Sequence, residues 1–257
     1  MITRFIYPHA LRQSISSRLV KHLRQLPAKD ISLAFNPHIK LDLCNTDLAH
    51  QSIILNGFYE LILSRKMITL AQKGGLLVDV GANYGYFACL WASLHSGNKV
   101  LGLEAAPDNF AAFKHNIQKN NLDNQVKAFS LAAGRYQAMQ KFAKHSEQGQ
   151  TGWGGLTNEV KGNFIDVQVQ TLDNFLEQLH IGKVDVLKVD TEGADTWVLM
   201  GSEKLLKNKA ITNIFFEQNL VRMKELSIDE GQAESFLSSC GYVVRKISHN
   251  EFHAYPQ

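Results

Sequence analysis

A glycine turn flanked by carboxylates is the part of this sequence best suited to chemistry. The apolar run at residues 76–80 contains Asp79 and leads into Gly81-Ala82-Asn83-Tyr84-Gly85, after which a helical pattern begins. Glycine lets the backbone approach a ligand closely, and a helix N-terminus presents unpaired N–H groups to it. A carboxylate inside the strand disfavours a pyrophosphate and favours a cationic ligand.

The glycine spacing and the following strand distinguish between nucleoside cofactors. The dinucleotide fingerprint G-x-G-x-x-G is absent, and the turn reads G-x-x-x-G. The next apolar strand ends at Glu104, about 20 residues past the turn, where an acid can bind the two ribose hydroxyls of a nucleoside. This combination predicts S-adenosylmethionine, and a generic strand–helix crossover is the alternative. The missing pyrophosphate fingerprint disfavours an NAD-dependent oxidoreductase.

Two further blocks accompany the glycine turn. One runs from Glu104 to Phe110, and the other, DVLKVDTEGAD, runs from Asp185 to Asp195. With the turn, they resemble the FkbM-type family of class I S-adenosylmethionine-dependent methyltransferases, over about residues 53–217. The third block is the most specific to that family. The resemblance implies methyl transfer, most often to a hydroxyl oxygen of a sugar, a polyketide or another secondary metabolite.

The elements that must position these residues alternate between strands and helices. Apolar runs predict strands near 76–80, 99–104, 125–130, 184–190, 211–217, 241–246 and 251–255. Helical periodicity predicts helices near 85–95, 108–120, 171–180, 194–207 and 229–239. This rhythm predicts an α/β fold with helices on both faces of a mostly parallel sheet. The three-residue loop before the last strand permits only an antiparallel hairpin. The resemblance implies a Rossmann-like class I methyltransferase fold, with seven strands of which one is antiparallel.

Ligands of such sheets bind at the carboxyl ends of the strands, so the predicted cofactor site collects residues from several strand ends. Its members are Asp79, Gly81, Ala82, Asn83, Tyr84, Gly85, Glu104, Ala105, Ser130, Ala132 and Asp190. Ser130 and Ala132 follow the third strand, where related methyltransferases contact adenine. Many relatives carry an acid shortly after this point, whereas this chain has Gly134-Arg135, so the adenine contact stays open.

The acceptor side of the site needs a group that removes or holds a proton. The sulfonium methyl is already electrophilic, but an alcohol acceptor requires a base within hydrogen-bond reach or a divalent metal. We predict Asp190 as the acceptor-side residue, with Glu192 and Glu217 as further catalytic candidates. The alternative for Asp190 and Glu192 is capping of the following helix. No metal site is predicted, although these carboxylates could hold a hard cation. His249 and His253 could reach the cleft from the terminal hairpin.

The N-terminal region is predicted to be a helical cap, residues 1–75, on a methyltransferase domain, residues 76–257. Leu11, Ile15, Leu19, Leu23 and Leu26 fall at helical spacing with basic residues between them. This helix either buries its leucines on the domain or docks an anionic partner. Residues 53–70 form a second amphipathic helical region. Within it, Gly57-Phe58-Tyr59-Glu60 resembles a family block that would lie near the cofactor.

Residues 131–170 lack clean alternation, and their glycine-rich stretch 148–155 predicts a mobile loop or lid. Trp153 in this loop either closes on a ligand or anchors the loop on the core. The net charge of +3 does not by itself indicate nucleic acid. Cys44, Cys89 and Cys240 show no metal-ligand spacing, and no apolar run is long enough to span a membrane. We therefore expect a cytoplasmic protein.

Three classes of function fit these patterns. The first is O-methylation of a small molecule or glycan. The second is N-methylation of side chains in a biosynthetic peptide, whose acidic leader segment would contact the basic N-terminal helix. The third is a nucleoside-binding module without transfer activity. A metal requirement or a base-dependent pH profile favours oxygen as the acceptor, and dependence on an acidic leader favours peptide nitrogen.

Overall fold

The computed structural model of the chain describes residues 4, 6–19, 27–143, 154–158 and 163–257. Its centre is a seven-stranded sheet in the order β12-β13-β11-β10-β3-β4-β5. The strands are β3 (Leu76–Val80), β4 (Lys99–Leu103), β5 (Val126–Phe129), β10 (Val184–Val189), β11 (Ile211–Glu217), β12 (Tyr242–Lys246) and β13 (Glu251–Pro256). β13 runs antiparallel to both of its neighbours, and the other strands are parallel. The predicted fold class is therefore confirmed.

Helices cover both faces of this sheet, as the strand–helix rhythm predicts. On one face α2 (Leu48–Asn56), α3 (Leu61–Ala71), α4 (Tyr86–Leu94) and α5 (Pro107–Lys119) share one apolar core with Leu77, Val100 and Val186. On the other face α6 (Leu172–Gln178), α7 (Asp195–Met200), α8 (Glu203–Lys207) and α10 (Gln232–Ser239) pack on Val78, Leu101 and Leu187. Alternate residues of each strand thus point into opposite cores.

The region between β5 and β10, where no clean alternation was found in the sequence, contains a second, four-stranded sheet. Its order is β6-β9-β7-β8, with β6 (Ala132–Ala133), β7 (Ala138–Ala143), β8 (Gly155–Leu156) and β9 (Phe164–Gln170). β9 alternates Ile165, Val167 and Val169 with polar residues, a period-2 signal that was readable in the sequence. The rest of the glycine-rich stretch, including Trp153, lies outside the described residues.

Two predicted helices are each divided in the structure. The region 53–70 breaks at Gly57, which ends α2 in the left-handed conformation with φ +78°, and resumes in α3 after Glu60. The predicted helix 194–207 is divided into α7 and α8 around Gly201 and Ser202. A further helix, α9 (Leu220–Glu225), was not predicted. It begins at Asn219, whose side chain accepts a hydrogen bond from the Arg222 N–H.

The N-terminal segment packs differently from the predicted leucine stripe. Helix α1 (His9–Leu19) exposes Leu11 and buries Arg12, whose guanidinium donates to the carbonyls of Arg4, Ile6 and Asn56. Among its described side chains, α1 thus packs through Arg12, which satisfies three carbonyls, and through His9, whose ring contacts Phe35 and Phe58. Leu23 and Leu26 lie outside the described residues.

The rest of the N-terminal segment includes a short hairpin of β1 (Ile31–Ser32) and β2 (Lys40–Leu41), which was not predicted. Leu33, Leu41 and Phe58 join the same apolar core as α4. The proposed boundary between residues 75 and 76 stays a prediction. No helix in the described ranges is long and apolar enough to cross a lipid bilayer.

Candidate active site

The turn between β3 and α4 is held tightly between its two neighbouring strand ends. The N–H groups of Gly81 and Ala82 both donate to the Leu103 carbonyl of β4, at 2.9 and 3.0 Å. On the other side, the Asp190 N–H after β10 donates to the Val80 carbonyl at 3.0 Å. Gly81 has φ +77°, and a Cβ at this position would lie 1.8 Å from the Asp190 carbonyl oxygen. Only glycine therefore lets the turn lie this close to Asp190.

Glu104 at the end of β4 anchors the same turn. One carboxylate oxygen accepts the Asn83 N–H and the other accepts the Ala106 N–H, each at 2.8 Å. A carboxylate oxygen has two acceptor positions, so each oxygen keeps one position for a ligand hydroxyl. Burial raises the pKa of Glu104 to about 7, against the lowering effect of the two backbone hydrogen bonds.

A single large cleft opens above these strand ends and holds most of the predicted site. It encloses about 1160 Å³, including its open mouth. The predicted residues that line it are Gly81, Ala82, Asn83, Tyr84, Glu104, Ala105, Ala132, Asp190 and Glu192. The structure thus brings the predicted ribose acid and the predicted acceptor-side acid to one cavity.

Four predicted residues do not line this cleft. Asp79 is 1 % exposed, and its carboxylate lies 3.6 Å from the Lys188 ammonium group beneath the cleft floor. Gly85 begins α4 with φ +84° and packs against Phe113. Ser130 is exposed, and Glu217 lines a smaller second cavity. The placement of Asp79, Gly85 and Ser130 does not support contact with the cofactor, and these roles, like the catalytic role predicted for Glu217, stay predictions.

The two terminal histidines also lie away from the cleft. The His253 ring stacks on Phe215 with centroids 4.4 Å apart and hydrogen-bonds the Asn213 side chain at 3.0 Å. His249 is exposed in the turn before β13. His253 is thus a packing residue of the sheet.

Lys188 is a buried cation that stabilises the carboxylates of Asp79 and Asp190 at the floor of the cleft. Its ammonium group lies 3.2 Å from one Asp190 oxygen and packs over the Phe87 ring, 5.2 Å from the centroid. Burial alone would lower the pKa of Lys188, but Asp190 and Asp79 raise it above its ordinary range. The lysine therefore stays charged and compensates two carboxylates that would otherwise be buried without a counterion.

An acidic cluster extends from Asp190 to the second cavity. Glu60, Asp190 and Glu217 each bring a carboxylate oxygen within 4.8 Å of the others. Glu60 was not predicted as a catalytic candidate, although it belongs to the Gly57–Glu60 block that the sequence singled out. Burial, followed by repulsion from Asp190, raises the pKa of Glu60 well above its usual range and that of Glu217 to about 8. The cluster therefore holds protons at neutral pH.

The acidic loop after β10 is fixed by residues that follow it. Asp195 accepts the Glu217 N–H at 3.0 Å and the Thr191 hydroxyl at 2.8 Å, which ties the ends of β10 and β11 together. The Asn219 amide donates to the Glu192 carboxylate at 2.9 Å. The N-cap of α7 is Ala194, which has no side-chain capping bond. The alternative that Asp190 or Glu192 caps this helix is therefore wrong.

Most residues of the cleft wall were not predicted from the sequence. Asp47 and His50 come from the start of α2, whereas Phe142 and Leu156 come from the four-stranded sheet. Tyr59 lines the cleft beside them, as its family block suggests. The Asp47 N-cap pattern was the one readable signal for α2, because its carboxylate accepts the His50 N–H three residues later. Nothing in that pattern points to a cofactor.

The comparison with protein families identifies the chain. The model of the methyltransferase FkbM domain matches residues 79–244, which include the turn, Glu104, Asp190 and strand β11. The chain belongs to the FkbM methyltransferase family. Members of this family are S-adenosylmethionine-dependent enzymes, and the fold and the cofactor predicted from the sequence agree with this assignment.

Individual relatives are distant. The chain is 25 % identical to Methyltransferase 1 of Beauveria bassiana (strain ARSEF 2860) over 235 residues, which are 84 % of this chain and 87 % of that protein. It is similar to the FkbM methyltransferase structure from Methylobacillus flagellatus, with 12 % identity and a TM-score of 0.48, over 71 % of this chain. The chain spans less than half of that protein, 43 %.

A third similar structure is an O-methyltransferase from Bacillus cereus in complex with S-adenosylhomocysteine. It shares 14 % identity, with a TM-score of 0.46, over 77 % of this chain and 81 % of that one. At this distance, the solved structures do not identify an acceptor for the FkbM family member described here.

The acidic cluster predicts an unusual pH dependence of stability. Glu217 has a pKa of about 8 in the folded protein and an ordinary value of 4.5 in the unfolded chain, so the folded state binds more protons between these values. Stability is therefore lost as pH rises, by up to about 1.4 kcal/mol per pH unit for one group. We expect the melting temperature to fall between pH 5.5 and 8.5 and Glu217→Gln to flatten that fall.

Exposed Glu230→Gln provides the matched control, because it removes the same charge on the surface. Melting curves of the three proteins across this pH range are the measurement. Equal pH slopes for the wild type and Glu217→Gln would show that Glu217 is ionised throughout.

Proposed function

We propose that this protein is an O-methyltransferase that acts on a hydroxyl group of a sugar, a polyketide or another secondary metabolite. The observation that carries the proposal is the position of Asp190, a carboxylate at the end of β10 that lines the same cleft as the glycine turn and Glu104. Family membership supports methyl transfer, and the acceptor is inferred from the chemistry of the cleft.

The cleft residues fit S-adenosylmethionine. Glu104 has one free acceptor position on each oxygen, which suits the two ribose hydroxyls. Leu131 and Leu156 offer apolar walls for a flat base. At the other end of the cleft, the Asp190 carboxylate contributes a negative potential, which favours a sulfonium cation. When bound, the cofactor supplies an electrophilic methyl group on a positively charged sulfur.

Asp190 is the residue we assign to the acceptor. Its Oδ2 accepts a hydrogen bond from Lys188, which leaves its other oxygen to receive the hydroxyl proton. Glu192 also lines the cleft and can hydrogen-bond a neighbouring hydroxyl, as in a sugar or polyol. Glu217 and Glu60 each bring a carboxyl oxygen within 4.8 Å of Asp190 and are protonated at neutral pH, so they add no charge beside it. Asp190 and Glu192 orient the acceptor, and Asp190 takes up its proton.

N-methylation of a leader-containing peptide is supported less well. That alternative requires a basic face on the N-terminal helix, but Arg12 is buried against three backbone carbonyls. Lys21 and Arg24, two of the basic residues between the predicted leucines, lie outside the described residues. A non-catalytic nucleoside-binding module would not need carboxylates beside the cofactor turn, which again favours an enzyme. Three free cysteines fit a reducing, cytoplasmic setting.

The first test is cofactor binding. Calorimetric titration with S-adenosylhomocysteine should give saturable binding, and NADH should not bind, because the pyrophosphate fingerprint is absent. Glu104→Ala should weaken binding by about 1–3 kcal/mol, the value of hydrogen bonds to a charged group. Glu225→Ala is the control, because Glu225 pairs with Arg222 on α9 and does not line the cleft. A preference for NADH would contradict the proposal.

The second test is the proton acceptor. A screen of hydroxylated sugars and phenols with labelled S-adenosylmethionine should identify an acceptor, and Asp190→Asn should then lower kcat by about 10²–10⁴-fold. Binding of S-adenosylhomocysteine should change much less, since Asn keeps the shape of Asp190. Asp229→Asn, an exposed substitution, should leave kcat unchanged. If Asp190→Asn retains wild-type kcat, another residue or a bound cation removes the proton.

A further inference from the structure

His50 connects the N-terminal segment to the cofactor turn through one hydrogen bond. The residue lies on α2, is 3 % exposed and lines the cleft. Its Nε2 atom is 3.2 Å from the Asn83 Oδ1 atom, and its ring contacts Tyr84 with centroids 4.3 Å apart. Asn83 and Tyr84 belong to the turn between Gly81 and Gly85. A residue outside the matched family domain therefore touches the turn directly.

The hydrogen bond at the other ring nitrogen of His50 indicates which nitrogen carries the proton. Its Nδ1 atom accepts the Cys44 backbone N–H at 3.1 Å, and a backbone N–H can only donate. Nδ1 therefore carries no proton, and the ring is the neutral tautomer with its proton on Nε2. This proton must be donated to Asn83, so the amide presents its oxygen to His50. The donors of the Asn83 amide then stay available for a ligand.

Asn83 is held by hydrogen bonds at both its main chain and its side chain. Asn83 has φ +52°, a left-handed conformation that is uncommon outside glycine. Its N–H donates to Glu104, which fixes the main chain, while His50 fixes the side chain. His50 is itself held at the start of α2, where its N–H donates to the Asp47 carboxylate at 2.9 Å. Both contacts together define where the Asn83 amide lies.

We infer that His50 is a positioning residue that orients the Asn83 amide to donate hydrogen bonds to an oxygen of the bound cofactor. This inference rests on the proposed cofactor-dependent function. It assigns cofactor affinity to a segment before residue 76, outside the methyltransferase domain predicted from the sequence. The Asn83 amide oxygen already accepts from His50, so the amide group can only donate to the cofactor. The cofactor group that Asn83 binds must therefore be a hydrogen-bond acceptor, such as a carboxylate or a hydroxyl oxygen.

Two substitutions of His50 each remove one of the two hydrogen bonds of its ring and keep the other. The amide of Asn is two bonds from Cβ, like Nδ1, so His50→Asn can accept from Cys44 but cannot reach Asn83. The amide of Gln is three bonds from Cβ, like Nε2, so His50→Gln can donate to Asn83 but leaves the Cys44 N–H unpaired. We expect His50→Asn to weaken S-adenosylhomocysteine binding about tenfold. Binding to His50→Gln should stay within about threefold of the wild type.

Thermal melting provides the second readout. Loss of the hydrogen bond from the Cys44 N–H should lower the melting temperature of His50→Gln more than that of His50→Asn. His50→Gln should therefore be the less stable variant, and His50→Asn the one that binds S-adenosylhomocysteine more weakly. Equal loss of affinity in both variants, or loss that follows the melting temperature, would overturn the inference, because a merely structural residue behaves that way.

Asn83→Gly completes the test, because glycine keeps the positive φ and removes the amide. In this background, His50→Asn should cause no further loss of S-adenosylhomocysteine affinity. An undiminished effect of His50→Asn in the Asn83→Gly protein would overturn the inference. If the wild type binds S-adenosylhomocysteine and Glu104→Ala weakens it while both His50 variants bind normally, this inference alone fails. If the wild type does not bind, the proposed function fails with it.

Discussion

The arrangement of the site depends on the contact between Gly81 and the carbonyl of Asp190. The two central strands, β3 and β10, end side by side, and the chain leaves one of them through a residue without a Cβ. Any side chain at position 81 would force the turn away from Asp190. Because the turn stays close, the residues proposed to bind the nucleoside and the carboxylate proposed to face the acceptor line one cleft. In-line methyl transfer requires that proximity.

The charges of the cleft follow from the same geometry. Strand ends that meet at one edge bring Asp79, Asp190 and Glu217 together, and Lys188 supplies the buried counterion for the first two. Glu60 and Glu217 form no ion pair within the described part of the chain, so burial and repulsion from Asp190 keep them protonated at neutral pH. Asp190, the proposed base, therefore lies beside acids that are neutral.

The sequence predicted the central sheet because its strands are long, buried and separated by helices of clear period. It also predicted Glu104 and Asp190, since both end such strands. It did not predict the division at Gly57, the four-stranded sheet or His50. The strands β6 and β8 are too short to show alternation, and His50 resembles any histidine on a buried helix. Asp79 was placed in the cofactor site because it precedes the turn, but strand alternation directs its side chain to Lys188 instead.

The most direct measurement is a crystal structure of the protein with S-adenosylhomocysteine bound. We predict that the ribose hydroxyls lie within hydrogen-bond distance, about 2.5–3.0 Å, of the Glu104 carboxylate. We also predict that the sulfur faces Asp190 across the turn at Gly81. A ligand bound with its ribose away from Glu104, or with its sulfur directed away from Asp190, would contradict this binding mode.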